Sequence, residues 1–562
     1  MTDTPPEAPE APEEPADELV ESPPVTPWPP ATDHKVIGTL FVVFAYLFLI
    51  ASGVIAAVMR AQLSSADLSI VGRADYHQFF TMHGVLGVFG FLAPVWIGLA
   101  TALVPLQIGS SRLAFPRLQA LTLWSTIAGG VMMACSPFVK GGKLVSGWTL
   151  STPIPDRTVV PGNGPDLLIL GLTVVAFALL LAVANLLVTI VKLRAPGLTL
   201  RRAPMFSWSV LVAGAVLLLA LPVLITGLVM LFVDRHYGGE IFRGFTGNGG
   251  GNPNIWPRLF WFAAYPTLWA LLLPALGTAA EIIPVFTRRR LFSHHRAAAA
   301  IGAIGVLAFA GWGSEVQNLS RARVLFALGA LAVLAPVAGV LLNLLATVAR
   351  GRKQVGGRPP DTRSAPMLLA VGFLTVVAVG LGGAAISALT TGTSSHRNYW
   401  QVATQHTLFF GAATLGVVAA ITYWAPKLWG RHLSDKGGAL AALLLVGGMH
   451  LAFLPMFVLG IQDMRVHLFT YDSGDGFAPA NLVSTAGTMV IVLGVVVFAL
   501  DLVVSVVAGK GRRADGDPWQ GNTLEWATSS PPPSHNFDRL PEVRSEVPLL
   551  DLRTAAAAEA EG

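Results

Sequence analysis

Twelve apolar stretches recur along the chain, at approximately 37–59, 79–104, 119–138, 166–191, 206–233, 259–285, 297–316, 324–349, 366–390, 402–425, 438–461 and 481–507. A helix rises about 1.5 Å per residue, so runs of about 20 residues cross a hydrocarbon layer of about 30 Å. In lipid each segment must satisfy its own backbone N–H and C=O groups, which leaves the helix as the structure for such runs. The expected fold is therefore an all-α membrane protein with twelve transmembrane helices. The seventh stretch is the weakest, because it rests on AAAAIGAIGVLAFAGWG and runs into Glu315. Composition agrees: 12% of the 562 residues are charged, against about 25% in soluble domains.

The connections alternate in charge. Arg112/Arg117, KLRAPGLTLRR, RRRLFSHHR, RGRKQVGGRPPDTR, KLWGRHLSDK and GKGRR follow the even-numbered spans, while the odd-numbered spans lead into mixed loops such as QDMRVHLFTYDSGDGFAPAN. Basic loops stay on the cytoplasmic side, so both termini are expected there and the chain in a bacterial plasma membrane. The net charge of +5 belongs to these flanks and gives no reason to expect nucleic acid as a partner; the partner is the lipid bilayer. Residues 1–33 read as a disordered acidic, Pro-rich cytoplasmic tail, 34–508 as the twelve-helix membrane domain and 509–562 as an extended cytoplasmic tail. No cleavable leader is expected at the N-terminus. The single cysteine, Cys135, excludes an intrachain disulfide and a cysteine-held metal cluster.

Ionisable side chains inside such spans cost about 2.5–3.5 kcal/mol on insertion scales, so they normally have a role. His406 lies early in the tenth span and His83 early in the second. Both spans run inward, which sets the two imidazoles at a similar depth toward the outer face. A buried neutral imidazole is a common haem ligand, and a low-spin haem needs two on opposite sides of its iron. Two unrelated hydrogen-bonded histidines in a packed bundle are the alternative reading.

The blocks DHKVIGTLF, MRAQL, FTMHG, LVPLQIG, AFPRL, GWT, SWSVLV, LFWF, YWAPKLWGR, NLVST and DPWQGNTLEWATSSPPPSHNF, in order from about Asp33 to Arg553, resemble subunit I of the haem–copper oxidases, the cytochrome c oxidase type. The resemblance implies that His83 and His406 ligate a low-spin haem of a or b type. It also implies that Arg60, in MRAQL, bonds a substituent at the haem edge. Where the family has an arginine pair at the haem propionates, this chain has Val466 and His467, with Arg465 just before. Oxidase subunit II- or III-like proteins and a cytochrome c or quinol donor would be its partners.

Other positions depart from the family pattern. The three copper-ligand places hold Tyr265, Ser314 and Glu315, and the glutamate and tyrosine of the same helix are replaced by Thr267 and Trp269. Imidazole suits copper far better than hydroxyl or carboxylate does. Glu315 reads either as a lone metal ligand or as a solvated residue at the outer end of the seventh span. Two residues before His406, where the family carries the ligand of its oxygen-binding haem, stands Thr404. Positions two apart point about 200° apart, which is how one helix holds two haems. The aspartate and lysine of the family's proton routes correspond to Arg112 and Val340, and the outer magnesium-site pair reads His396-Arg397.

Taken together, these residues lead to the expectation of one low-spin haem, no copper, and an electron-transfer or haem-bearing scaffold role without oxygen reduction or proton pumping. A working terminal oxidase with an unrecognised site, and a haem-free transporter or assembly factor on the same fold, are the alternatives.

Overall fold

The computed structural model describes residues 32–141, 144, 146–151, 157, 160–237, 241–242, 251–316, 322–350, 359–390 and 398–561. The tail at 1–31 and the His396-Arg397 pair lie outside the described residues. The helices are α1 (His34–Gln62), α2 (Arg73–Gln107), α3 (Pro116–Phe138), α4 (Gly164–Lys192), α5 (Met205–His236), α6 (Ile255–Thr287), α7 (His294–Leu307), α8 (Arg323–Arg350), α9 (Ala365–Leu389), α10 (Tyr399–Trp429), α11 (Asp435–Ile461), α12 (Ala478–Val507) and α13 (Pro548–Glu561). Among the described residues, eleven of these are long and apolar enough to cross a membrane.

The seventh expected span is the exception. Its helix, α7, has 14 residues, about 21 Å of rise. The chain then turns through Ala308–Gly311 into a short 3-10 turn at Trp312–Glu315. Two small-residue steps, Ala310-Gly311 and Gly313-Ser314, favour a turn over continued helix. Gly313 also has to be small, since a Cβ there would lie 2.4 Å from the Phe326 ring on α8.

Burial separates the inner helices from the rim. The apolar windows of α2, α6 and α10 are 94%, 100% and 89% buried, against 28% for α1 and 22% for α12. The first three are the centre of the bundle, and the last two present most of their surface outward. Two of the central helices carry a π-helical turn, Leu86–Leu92 in α2 and His406–Gly411 in α10. Such insertions rotate the side chains on either side of them and occur most often at functional sites.

At the end of the bundle that holds both described termini, the chain after α12 crosses the helix ends before reaching α13. His34, at the start of α1, contacts Asn536 of this strap through Nε2 at 3.2 Å. Lys427, near the end of α10, is fully buried and donates to the carbonyls of Gly516 (2.9 Å), Thr528 (2.7 Å) and Ser529 (3.1 Å). One ammonium thus satisfies three strap carbonyls that no helix or sheet ladder serves. Lys427→Met should leave the Thr528 and Ser529 carbonyls unpaired, the Gly516 carbonyl keeping the Ser530 hydroxyl, and lower stability by about 3 kcal/mol, read as a fall in the thermal midpoint of the detergent-solubilised protein.

Candidate functional site: a facing histidine pair

His83 lies ten residues into α2 and His406 seven residues into α10. The two helices enter the bundle at the end opposite the described termini, so the imidazoles sit about 10–15 Å below that end. Their rings are parallel within 9°, with centroids 6.1 Å apart. Two metal–imidazole bonds of about 2.0–2.1 Å, plus about 1.1 Å from each nitrogen to its ring centre, span about 6.3 Å. The spacing is that of two imidazoles sharing one metal ion between them.

Hydrogen bonding sets the nitrogen that faces inward. His83 Nδ1 lies 3.1 Å from the Ser52 carbonyl oxygen on α1, and His406 Nδ1 lies 2.8 Å from the Val402 carbonyl oxygen in its own helix. A carbonyl only accepts, so each Nδ1 carries the proton and each Nε2 keeps its lone pair for a ligand. Ser52 adds a second tie, its hydroxyl donating to the His83 carbonyl at 3.0 Å. Phe410 and Phe453 fix the His406 ring, at centroid distances of 5.5 and 5.4 Å. Gly84, next to His83, keeps room for Trp148, because a Cβ there would lie 2.5 Å from the Trp148 Cβ.

The pair opens onto a cavity of about 1200 Å³. Its walls include Glu315, Gln401, Arg465 and His467 along with the two histidines. Desolvation lowers the His467 pKa below the ordinary imidazole value, with the nearby His77 adding to the effect. Arg465 is a permanent cation of this wall. Arg60 is buried and donates through Nη2 to the Asn481 carbonyl (3.1 Å) and Oδ1 (2.7 Å), and through Nη1 to the Tyr399 hydroxyl (3.4 Å). Its Nε is buried with no protein partner. Two free imidazole nitrogens beside a large cavity, with an orphaned guanidinium N–H, suit a haem.

The remaining expected positions divide into two groups. Tyr265 and Trp269 are one turn apart on α6 with ring centroids 6.4 Å apart, and Trp269 packs edge-on against Phe409 of α10 at 4.8 Å. The Tyr265 hydroxyl reaches the turn after α7, where a Cβ on Gly311 would meet it at 2.6 Å. Tyr265 thus shares a neighbourhood with Ser314 and Glu315. Ser314 Oγ is held by the Gly311 carbonyl (2.7 Å) and Thr267 Oγ1 by the Ala263 carbonyl (2.8 Å). Glu315 is not the solvated end residue that sequence reasoning offered as one reading. It is turned into the cavity, where its Oε2 accepts from Gln401 Nε2 at 2.7 Å. Arg112 and Val340 are brought to neither group: Arg112 is exposed between α2 and α3, and Val340 is buried in α8.

Thr404 is buried, and its Oγ1 has no hydrogen-bond partner. A Cβ on Gly383 of α9 would lie 2.9 Å from that oxygen and 2.6 Å from the Phe457 ring, so the ground beside Thr404 is closely packed. Among the described residues, no group of three or more His, Cys, Asp or Glu side chains gathers as a metal site would require. Sequence reasoning missed Ser52, Phe410, Phe453 and Asn481. The glycines of HGVLGVFG hinted at a close approach beside His83 but not at what approaches.

The bundle and the histidine pair define a polytopic membrane protein with two parallel imidazoles set between its central helices. The chain matches the family described as Cytochrome C and Quinol oxidase polypeptide I over residues 36–490. It is 35% identical over 531 residues to a probable cytochrome c oxidase subunit 1-beta of Nocardia farcinica, covering 94% of this chain and 88% of that one. It is 34% identical over 522 residues to cytochrome c oxidase subunit 1 of Bacillus subtilis (92% and 81% covered), and 32% identical over 532 residues to quinol oxidase subunit 1 of the same organism (94% and 80% covered). The chain belongs to the haem–copper oxidase subunit I family.

Thr404→His tests the packing beside the pair. Forcing an imidazole against Gly383 and Phe457 should lower stability by about 1–3 kcal/mol. It should also leave the haem-to-protein ratio, measured as the pyridine haemochrome, unchanged.

Proposed function

We propose that this subunit I-type chain holds one low-spin haem between His83 and His406 and serves as an electron-transfer or haem-bearing component, without reducing oxygen or pumping protons by itself. The observation that carries this reading is the parallel imidazole pair at 6.1 Å with both Nδ1 atoms committed to carbonyls. A haem bound there supplies one-electron redox chemistry. The chain's own contribution is to hold both Nε2 lone pairs in line, to keep water away with Phe410 and Phe453, and to present Arg465 and the Arg60 Nε to the cofactor's polar edge.

The restriction to one haem rests on the residues at the other places. Thr404 is a weak axial ligand set in closely packed surroundings, and Tyr265, Ser314 and Glu315 are a poor copper set. The Gly311 carbonyl already engages the Ser314 hydroxyl, and Gln401 the Glu315 carboxylate. Arg112 and Val340 supply no protonatable carboxylate or amine along the family's routes. The chain resides in the bacterial plasma membrane with its termini end cytoplasmic, beside subunit II- or III-like proteins, and takes electrons from a cytochrome c or a quinol.

Spectroscopy of the purified protein tests this. The reduced-minus-oxidised spectrum should show one low-spin haem per chain, unchanged by carbon monoxide, and elemental analysis should find no copper. His83→Ala and His406→Ala should each abolish the low-spin bands. Two haems per chain, a carbon monoxide-sensitive spectrum, or bands surviving in both variants would overturn the reading.

A further inference from the structure

A second polar centre lies at the termini end of the bundle, away from the histidines. Glu281 sits near the end of α6 and is 7% exposed; Glu525 sits in the 3-10 turn Leu524–Ala527 of the strap and is fully buried. Glu281 Oε1 accepts from the Phe206 N–H at 3.2 Å. The next residue, Ser207, donates to Gln107 Oε1 at 2.7 Å, and Gln107 Nε2 donates to Glu525 Oε1 at 3.1 Å. Trp424 Nε1 donates to the same Glu525 oxygen at 3.2 Å. The other oxygen, Oε2, is buried without a partner. Phe206 and Ser207, adjacent on α5, thus gather Glu281, Gln107 and Glu525 into one buried cluster.

Among the described residues neither carboxyl forms an ion pair. Two carboxyls buried in one cluster without a cation cannot both ionise cheaply; one keeps its proton. The groups that face them are few. Tyr423 and Lys427 come from α10 and Asp517 from the strap, and Lys427 is committed to three carbonyls.

We propose that Glu281 and Glu525 form a proton-binding site that holds one proton for the pair and so fastens the strap to the ends of α2, α5, α6 and α10. A proton on the otherwise unpartnered Glu525 Oε2 spares that oxygen a buried charge. The pair then carries one negative charge, answered by the amide of Gln107, the indole of Trp424 and the backbone N–H of Phe206. No electron moves; a proton binds and is released.

Burial holds the Glu525 carboxyl above the ordinary carboxylate range. A carboxyl whose pKa is raised on folding contributes stability that is full below the ordinary carboxylate pKa and is lost as pH climbs from there through the raised value. Loss of the proton leaves two negative charges in one buried cluster, so alkaline pH loosens the strap.

Infrared difference spectroscopy of the full-length protein, titrated from acid to alkaline pH, tests the proposal. A protonated-carboxyl C=O band should persist at neutral pH, shift in heavy water, and vanish on alkalinisation with a parallel fall in the thermal midpoint. Glu281→Gln and Glu525→Gln should each remove that band and flatten the pH dependence, with the haem spectrum intact as the check on folding. If these variants fail to fold, Ser207→Ala, which frees Gln107 without touching either acid, should still shift the band. A wild type lacking the band at neutral pH, a band unmoved by every one of these substitutions, or one metal cation per chain lost in Glu281→Gln would overturn it.

Discussion

The account depends on how two imidazoles dispose of their protons. A neutral histidine has one N–H and one lone pair, and both must be placed when the ring is buried. Here the N–H of each ring is fixed by a main-chain carbonyl, Ser52 for His83 and Val402 for His406. Each Nε2 lone pair is thereby left free, on two rings that lie parallel with centroids 6.1 Å apart. Everything nearby keeps that disposition. The π-helical turns come at or just after the ligands in α2 and α10, Gly84 admits Trp148, and two phenylalanines close on the His406 ring. A donor bound to a carbonyl cannot swing away, so the site is organised before any cofactor enters.

The polar interior is confined to two levels of an otherwise apolar bundle. One holds the histidines, Arg60 and the cavity wall with Glu315 and Arg465. The other holds Lys427, Glu281, Glu525 and the strap that ties α1 to the ends of the central helices. Both obey one rule: a buried polar group keeps its place because hydrogen bonds replace water. At the first level the Arg60 Nε and the Thr404 Oγ1 lack that replacement, and an unfilled demand of this kind is what a ligand meets. At the second level the Glu525 Oε2 and the Trp526 Nε1 lack it, and for the carboxyl oxygen a proton is enough.

Much of the fold was legible from hydropathy, because backbone hydrogen bonding in lipid permits little besides helices. Among the described residues eleven segments fold as long helices, and the stretch marked as weakest is the one that turns early, at a run of small residues. His83 and His406 stood out because an ionisable group in an apolar run is costly and because matching blocks surround both. Glu315 was ambiguous in sequence, where nothing reveals that the turn after α7 folds it toward Gln401 on α10. The Asn481 clamp on Arg60 and the Glu281–Glu525 approach join residues hundreds of positions apart, and no local pattern encodes such contacts. Which groups share a cavity is settled by tertiary packing, and the sequence carries it only in the sum of all its apolar faces.

Electron paramagnetic resonance of the oxidised protein bears most directly on the central claim, since it reports spin state and axial ligation for every ferric haem present. With imidazole planes held within 9° of parallel, the account predicts one rhombic low-spin signal integrating to one spin per chain. A high-spin axial signal, or a copper signal beside it, would contradict the account and place an open iron site where Thr404 now stands.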